Sequence, residues 1–182
     1  HWSCDKSVSK KNVPVKDKLH YSDGIKDYLH SLCSPQDPIF EDPFYFNTKI
    51  SDEDGKIEGI VNWFDAMEPI NESYCNTIKT PMGGTHESGF KTGIFKAFKE
   101  FSKLKYEKKS SQINQEDLFG SSASILSVFL ENPEFQGQTK EKLSSIEPGR
   151  KIESKIKILF EQWLTSKSKS ANDFAFNCAC FL

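Results

Sequence analysis

Apolar residues along this chain change period several times, and each change predicts an element. Ile25, Tyr28, Leu29 and Leu32 recur at helical spacing in "SDGIKDYLHSLC" (Ser22 to Cys33), which predicts a short helix. Pro35, Pro38 and Pro43 interrupt the chain after it. "PFYFNTKI" and "KIEGIVNWF" flank the turn "SDEDG" and predict two paired strands. "ESYCNTIKT" (Glu72 to Thr80) predicts a third. Phe90, Ile94, Ala97, Phe98, Phe101 and Leu104 then form a helical stripe, with Thr85 as N-cap. "KYEKKSSQ" (Lys105 to Gln112) predicts a charged connector, and Asn114 caps a short helix over "NQEDLFGSSA". "ILSVFL" (Ile125 to Leu130) predicts a buried strand. It ends in "ENPEFQGQTKEKLSS", a polar stretch with no apolar residue between Phe135 and Leu143. Ile152, Ile156, Leu159, Phe160 and Trp163 mark a last long helix, with Pro148 near its first turn. Strands and helices are interspersed, so the expectation is one α+β domain over residues 1–182.

Composition narrows the classes. The 182 residues suffice for one core, and a net charge of −2 gives no general field for nucleic acid. Any DNA contact would have to come from a local cluster such as Lys105, Lys108 and Lys109. No apolar run approaches membrane-spanning length, and no signal-peptide pattern opens the chain. Cys4, Cys33, Cys75, Cys178 and Cys180 are odd in number and lack CxxC spacing, which fits a reducing cytoplasm and neither a disulfide framework nor a zinc site. The Lys-rich "DKSVSKKNVPVKDK" (Asp5 to Lys18) reads as a solvated hairpin loop or linker. The chain starts at His1 rather than Met and stops in a run that still reads as helix, so a fragment of a longer chain is expected.

Several motifs carry a bland reading beside a chemical one. "PMGGTHESG" resembles a phosphate cradle at a helix N-terminus, but lacks P-loop spacing; a tight packing turn is the plainer reading. His86 reads as a packing histidine and Cys75–His86 as a pair without an orienting third group. "SDEDG" reads as a hairpin turn and not a calcium loop. Asn71-Glu72-Ser73 fits the glycosylation triplet, a chance match in a cytoplasmic chain. "LFGSSAS" (Leu118 to Ser124) partly resembles the phosphate loop of small-molecule kinases; a helix with small residues facing a sheet is the plainer reading. Lys140 differs: Gly137 frees the backbone, Gln138 and Thr139 offer hydrogen bonds, and Lys140 adds a mobile cation, a tip suited to a phosphate or carboxylate from outside the domain.

The order of motifs resembles a family. "YSDGIKDYL", "GGTHESGF", "LSVFLENPEFQGQTKEKL" and "FEQWL" together are similar to the second, or transducer, domain of the ATPase component of bacterial type II topoisomerases. They sit closer to the topoisomerase IV B subunit than to the gyrase B subunit, and FxGQTK is the most specific piece. The resemblance implies a ribosomal-protein-type α+β fold: a mixed sheet backed by helices, with a left-handed βαβ crossover. It implies that an ATP-binding domain precedes the chain and a Toprim domain follows. It implies that Gln138 and Lys140 contact the ATP γ-phosphate, with Lys140 catalytic, no metal ligand in the chain, and a tie that is lost after hydrolysis. ATP and Mg2+ would serve the full-length protein, with neither expected on this fragment, which would be inactive alone. A second B subunit, the A subunit of topoisomerase IV and DNA would be partners, and no membrane. Two alternatives stay open: a small-molecule kinase of the same superfamily, and a non-catalytic interaction domain. The tip from Gln136 to Lys142, with no apolar anchor of its own, is expected to be mobile.

Overall fold

The computed structural model describes residues 2, 3, 5, 7, 15–17, 20–51 and 55–180. Two short strands, β1 (Trp2–Ser3) and β2 (Lys16–Asp17), pair antiparallel; most of the Lys-rich segment between them, and the centre of the "SDEDG" turn, lie outside the described residues. Helix α1 (Ile25–Cys33) follows. The main sheet holds β3 (Phe44–Lys49), β4 (Lys56–Trp63), β5 (Ile70–Cys75), β6 (Ile78–Lys79) and β7 (Ser122–Phe129) in the order β3-β4-β7-β5-β6. Helices α2 (Thr85–Ser110) and α3 (Gln115–Phe119) bridge β6 to β7; α4 (Ile146–Ser166) and α5 (Ser168–Cys180) close the chain. β3, β4 and β7 run antiparallel, whereas β5 and β7 are parallel, so the sheet is mixed.

Alternation along the central strands separates two cores. Ile57, Val61 and Trp63 of β4 and Leu126 and Val128 of β7 face α2, α4 and α5. Ile60 of β4 and Ala123 and Ile125 of β7 face Leu29 and Cys33 of α1. The first core is rich in rings. Phe160 stacks on Trp163 at 5.3 Å between centroids, and Phe40, Phe44, Trp63 and Phe174 surround them edge-on or tilted. Of the α4 stripe, Ile152, Ile156 and Phe160 are fully buried, Leu159 and Trp163 pack partly buried against the same core, and Leu164 joins the buried face. α2 and α4 pack unusually close. A Cβ on Gly89 would lie 2.3 Å from the Gly149 carbonyl oxygen, and one on Gly93 2.6 Å from that of Glu153.

The structure corrects several expectations. "ESYCNTIKT" is a hairpin, because Asn76 and Thr77 both take positive φ (49° and 67°) and turn β5 into β6. Thr85 is the first residue of α2 rather than its cap, and its hydroxyl donates to the Ser145 carbonyl at 2.6 Å. α2 runs through the supposed connector to Ser110, with non-helical angles at Tyr106, because Lys and Glu support helix as readily as loop. Leu104 drops out of the stripe at 84% exposed. "LFGSSAS" does not continue a helix: α3 stops at Phe119, and Ser122 to Ser124 belong to β7. Asn114 caps α3 as expected, in a reciprocal capping box with Asp117.

Candidate functional site

The chain from Phe135 to Leu143 forms a closed loop on the edge of the α2–α4 pair. Phe135 and Leu143 bridge antiparallel at its base, and the Gln136 amide donates to the Lys142 carbonyl at 2.8 Å. Leu143 is fully buried, and Phe135 is partly buried on the same core, so apolar anchors sit just outside the polar stretch. Gln138, Thr139 and Lys140 form the exposed tip. Lys140 has φ of 57° and Gly137 φ of 81°. A lysine in the left-handed region is uncommon. Its ammonium lies 5.9 Å from the Phe135 ring centroid and meets no carboxylate among the described residues.

The loop rests on the "GGTH" turn. The Met82 amide donates to the Glu141 carbonyl (3.0 Å), the Leu143 amide to Gly83 (3.1 Å) and the Thr85 amide to Leu143 (3.0 Å). The glycine turn therefore does not cradle an external phosphate: Leu143 of the same chain occupies that place. Beneath the turn, Thr80 Oγ1 lies 2.7 Å from Ser73 Oγ and 3.1 Å from His86 Nε2. Ser73 also reaches Glu87, which pairs with Lys91 at 2.7 Å. His86 is a packing histidine, fully buried, with Nδ1 unpartnered. Burial pushes its pKa down to about 4, against a smaller opposing pull from Glu87. A cleft of about 1130 Å³ opens beside the turn, lined among others by Gly83, Thr85, Lys91, Gln136, Lys142 and Arg150. Gln138 and Lys140 lie outside that lining and are exposed to solvent.

Other candidates lose their chemistry. Burial raises the Cys75 thiol to about 11, which with a neutral His86 leaves no thiolate–imidazolium pair. Ser122 donates to the Phe119 carbonyl and Ser124 to Asn71 Oδ1, both buried, so the kinase-like serines are spent within the sheet. Glu72 of the glycosylation-like triplet accepts from Tyr28, Tyr74 and Lys79. Among the described residues no three His, Cys, Asp or Glu side chains converge as for a metal. The side chains of Lys105, Lys108 and Lys109 lie outside the described residues.

The mixed sheet of this order, backed by helices, has counterparts among solved structures of type II topoisomerase B subunits. The structure described as the topoisomerase IV ATP binding domain of Francisella tularensis, in complex with a small-molecule inhibitor, superposes with a TM-score of 0.75. It is 30% identical, over 88% of this chain and 43% of that one. The gyrase B protein of Myxococcus xanthus has the same TM-score at 17% identity, covering 88% of this chain and 50% of its own, and shares the fold. The chain belongs to the DNA gyrase B family, whose profile matches residues 24–179. The B subunit of DNA topoisomerase 4 from Caulobacter vibrioides is 37% identical over 174 residues, and that of Rickettsia bellii is 37% identical over 174. These matches cover 93% and 94% of this chain but only 25% and 26% of the relatives, so the chain spans about a quarter of their length.

One expectation is overturned by these matches. The motifs placed the chain in a transducer domain, following a separate ATP-binding domain. The matching segment instead falls inside the unit described as the ATP binding domain in F. tularensis, and the family profile is that of DNA gyrase B. The family itself stands on these matches; the motifs do not fix which unit within it the chain represents. No helix among the described residues is long and apolar enough to cross a membrane.

Proposed function

We propose that this chain is a piece of the ATPase region of a topoisomerase IV B subunit. In this reading the full-length protein hydrolyses ATP in the cytoplasm to drive DNA strand passage, working with a second B subunit, the A subunit of topoisomerase IV and DNA. Gln138 and Lys140 supply the γ-phosphate contact. The nucleotide itself sits on parts of the protein outside this chain, and a Toprim domain follows. The observation that carries the reading is the Lys140 tip: exposed, in left-handed backbone, on a loop fixed at its base, with an ammonium that meets no carboxylate among the described residues. An isolated cation held forward in this way suits charge growing on a transferring phosphoryl group. Gln138 adds an amide donor for a phosphate oxygen. These donors fit phosphate oxygens. The Mg2+ that such a protein uses supplies charge neutralisation at the phosphates, and the described residues offer it no cluster of ligands.

Lys140→Ala in the full-length protein tests this. A charge-assisted contact strengthened in the transition state is worth roughly 1.5–3 kcal/mol, so ATP turnover should fall about tenfold to a few hundredfold. Thermal stability should hold, because the side chain is exposed. Unaltered turnover removes Lys140 from the site. The isolated 182-residue chain should hydrolyse no ATP.

A further inference from the structure

We propose that Gly84 and Thr85 are positioning residues that set where Lys140 stands, acting through the backbone of Leu143. The inference rests on the γ-phosphate reading and names what holds the loop for it.

From Gln136 to Lys142 no side chain anchors the loop to the core. Its backbone is held from one side, by the turn at residues 82–85. Three hydrogen bonds cross between them: Met82 to Glu141, Leu143 to Gly83 and Thr85 to Leu143. Gly84 makes this approach possible. Its φ is 140°, and a Cβ there would lie 2.3 Å from the Leu143 carbonyl oxygen and 2.6 Å from its amide nitrogen. No other residue leaves room for the contact. Thr85 fastens the far side of the loop: its hydroxyl donates to the Ser145 carbonyl, while Ser145 Oγ accepts the Glu134 amide at 2.8 Å. Both flanks of the loop are thus tied through Ser145 to Thr85.

The turn is itself fixed from below. Thr80, Ser73 and His86 form a buried polar cluster under it, which the partly exposed Glu87 joins through Ser73, and the Thr80 amide donates to the Ser73 carbonyl at 2.8 Å. The glycine contacts of α2 with α4 then join the turn and the loop to one closely packed helix pair. A displacement of the turn against α4 therefore moves the tip. Shifts of about 1 Å at a group that must meet a reacting phosphate cost rate.

The test is a set of variants in the full-length protein, read by ATP turnover: Thr85→Val, Thr85→Ser, Lys140→Ala, and Thr85→Val combined with Lys140→Ala. Thr85→Val keeps the shape and deletes the hydroxyl; kcat should fall about fivefold with KM for ATP unchanged. Thr85→Ser should restore wild-type turnover. In the Lys140→Ala background, Thr85→Val should add nothing, because both act on one contact. A full further loss there, or no effect of Thr85→Val while Lys140→Ala is slow, overturns the positioning role and leaves the γ-phosphate reading standing. Normal turnover in Lys140→Ala overturns that reading and this one together. Should Val at position 85 prevent folding, amide exchange on the unaltered full-length protein decides. Adding a non-hydrolysable ATP analogue should slow exchange at Met82, Thr85 and Leu143 together with the tip. Slowing at the tip alone overturns the proposal.

Discussion

Asn76 and Lys140 both hold left-handed backbone at a loop tip, with φ of 49° and 57°, yet the two tips serve opposite ends. Asn76 turns β5 into β6 and spends its side chain at home. Its Nδ2 donates to the Leu130 carbonyl and its Oδ1 accepts the Leu130 amide, each at 2.9 Å, while its own amide donates to Val128. Asn tolerates this conformation because a short polar side chain can bond locally. Lys140 has no such excuse. Its side chain is long, its head group meets no carboxylate among the described residues, and the fixed base of the loop holds it out. Strain closed by a side chain's own bonds is architecture. Strain that presents an isolated charge is a candidate for function.

The largest effect expected lies in the support beneath the Lys140 tip. His86 is fully buried, and burial lowers its pKa from 6.5 to about 4. The folded protein therefore binds this proton less readily than the unfolded chain. Well above pH 6.5 His86 is neutral in both states and stability does not depend on it. As pH falls from about 6.5 to about 4 the unfolded chain gains a proton first, and folding loses on the order of 3 kcal/mol. Denaturant unfolding across this window should show the decline. His86→Gln should flatten it, and an equal slope in that variant would place the titration elsewhere.

Next comes Asn76→Ala. It removes two hydrogen bonds to the end of β7 and leaves an alanine in left-handed backbone, for an expected loss of about 2–3 kcal/mol. Urea unfolding reads it directly. A loss below about 1 kcal/mol would show that the β5–β6 turn does not depend on this side chain.

Much of this contrast was hidden in the sequence. The α1 and α4 stripes, the β3–β4 pair and the Asn114 cap were legible, because each is written in local period or in cap chemistry. The exposed Gln138–Lys140 tip was legible too, as polar residues after an apolar run. What failed was long-range or locally neutral. Ser122, Ala123 and Ser124 carry no period, and only their places between β4 and β5 make them strand. The role of Gly89, Gly93 and Gly149 appears only where α4 lies against α2. The docking of the loop on the "GGTH" turn joins segments some 60 residues apart, which no window on the sequence contains.

Glycine substitutions give the smallest effects and separate the tips most sharply. At either position glycine removes the strain of a positive φ, and at either it raises the entropy of the unfolded chain by roughly 0.5–1 kcal/mol. At Lys140 nothing else changes among the described residues, since the side chain is exposed and there has only the Phe135 ring beside it. The two terms offset, and Lys140→Gly should alter stability by less than about 0.5 kcal/mol while slowing ATP turnover in the full-length protein as Lys140→Ala does. At Asn76 the same relief comes with the loss of both bonds to Leu130, each worth about 1 kcal/mol, so Asn76→Gly should destabilise by about 1–2 kcal/mol. Parallel urea titrations of the two variants decide between the roles. If Lys140→Gly costs as much as Asn76→Gly, the lysine has a partner within the fold, and the tip is architecture like its counterpart.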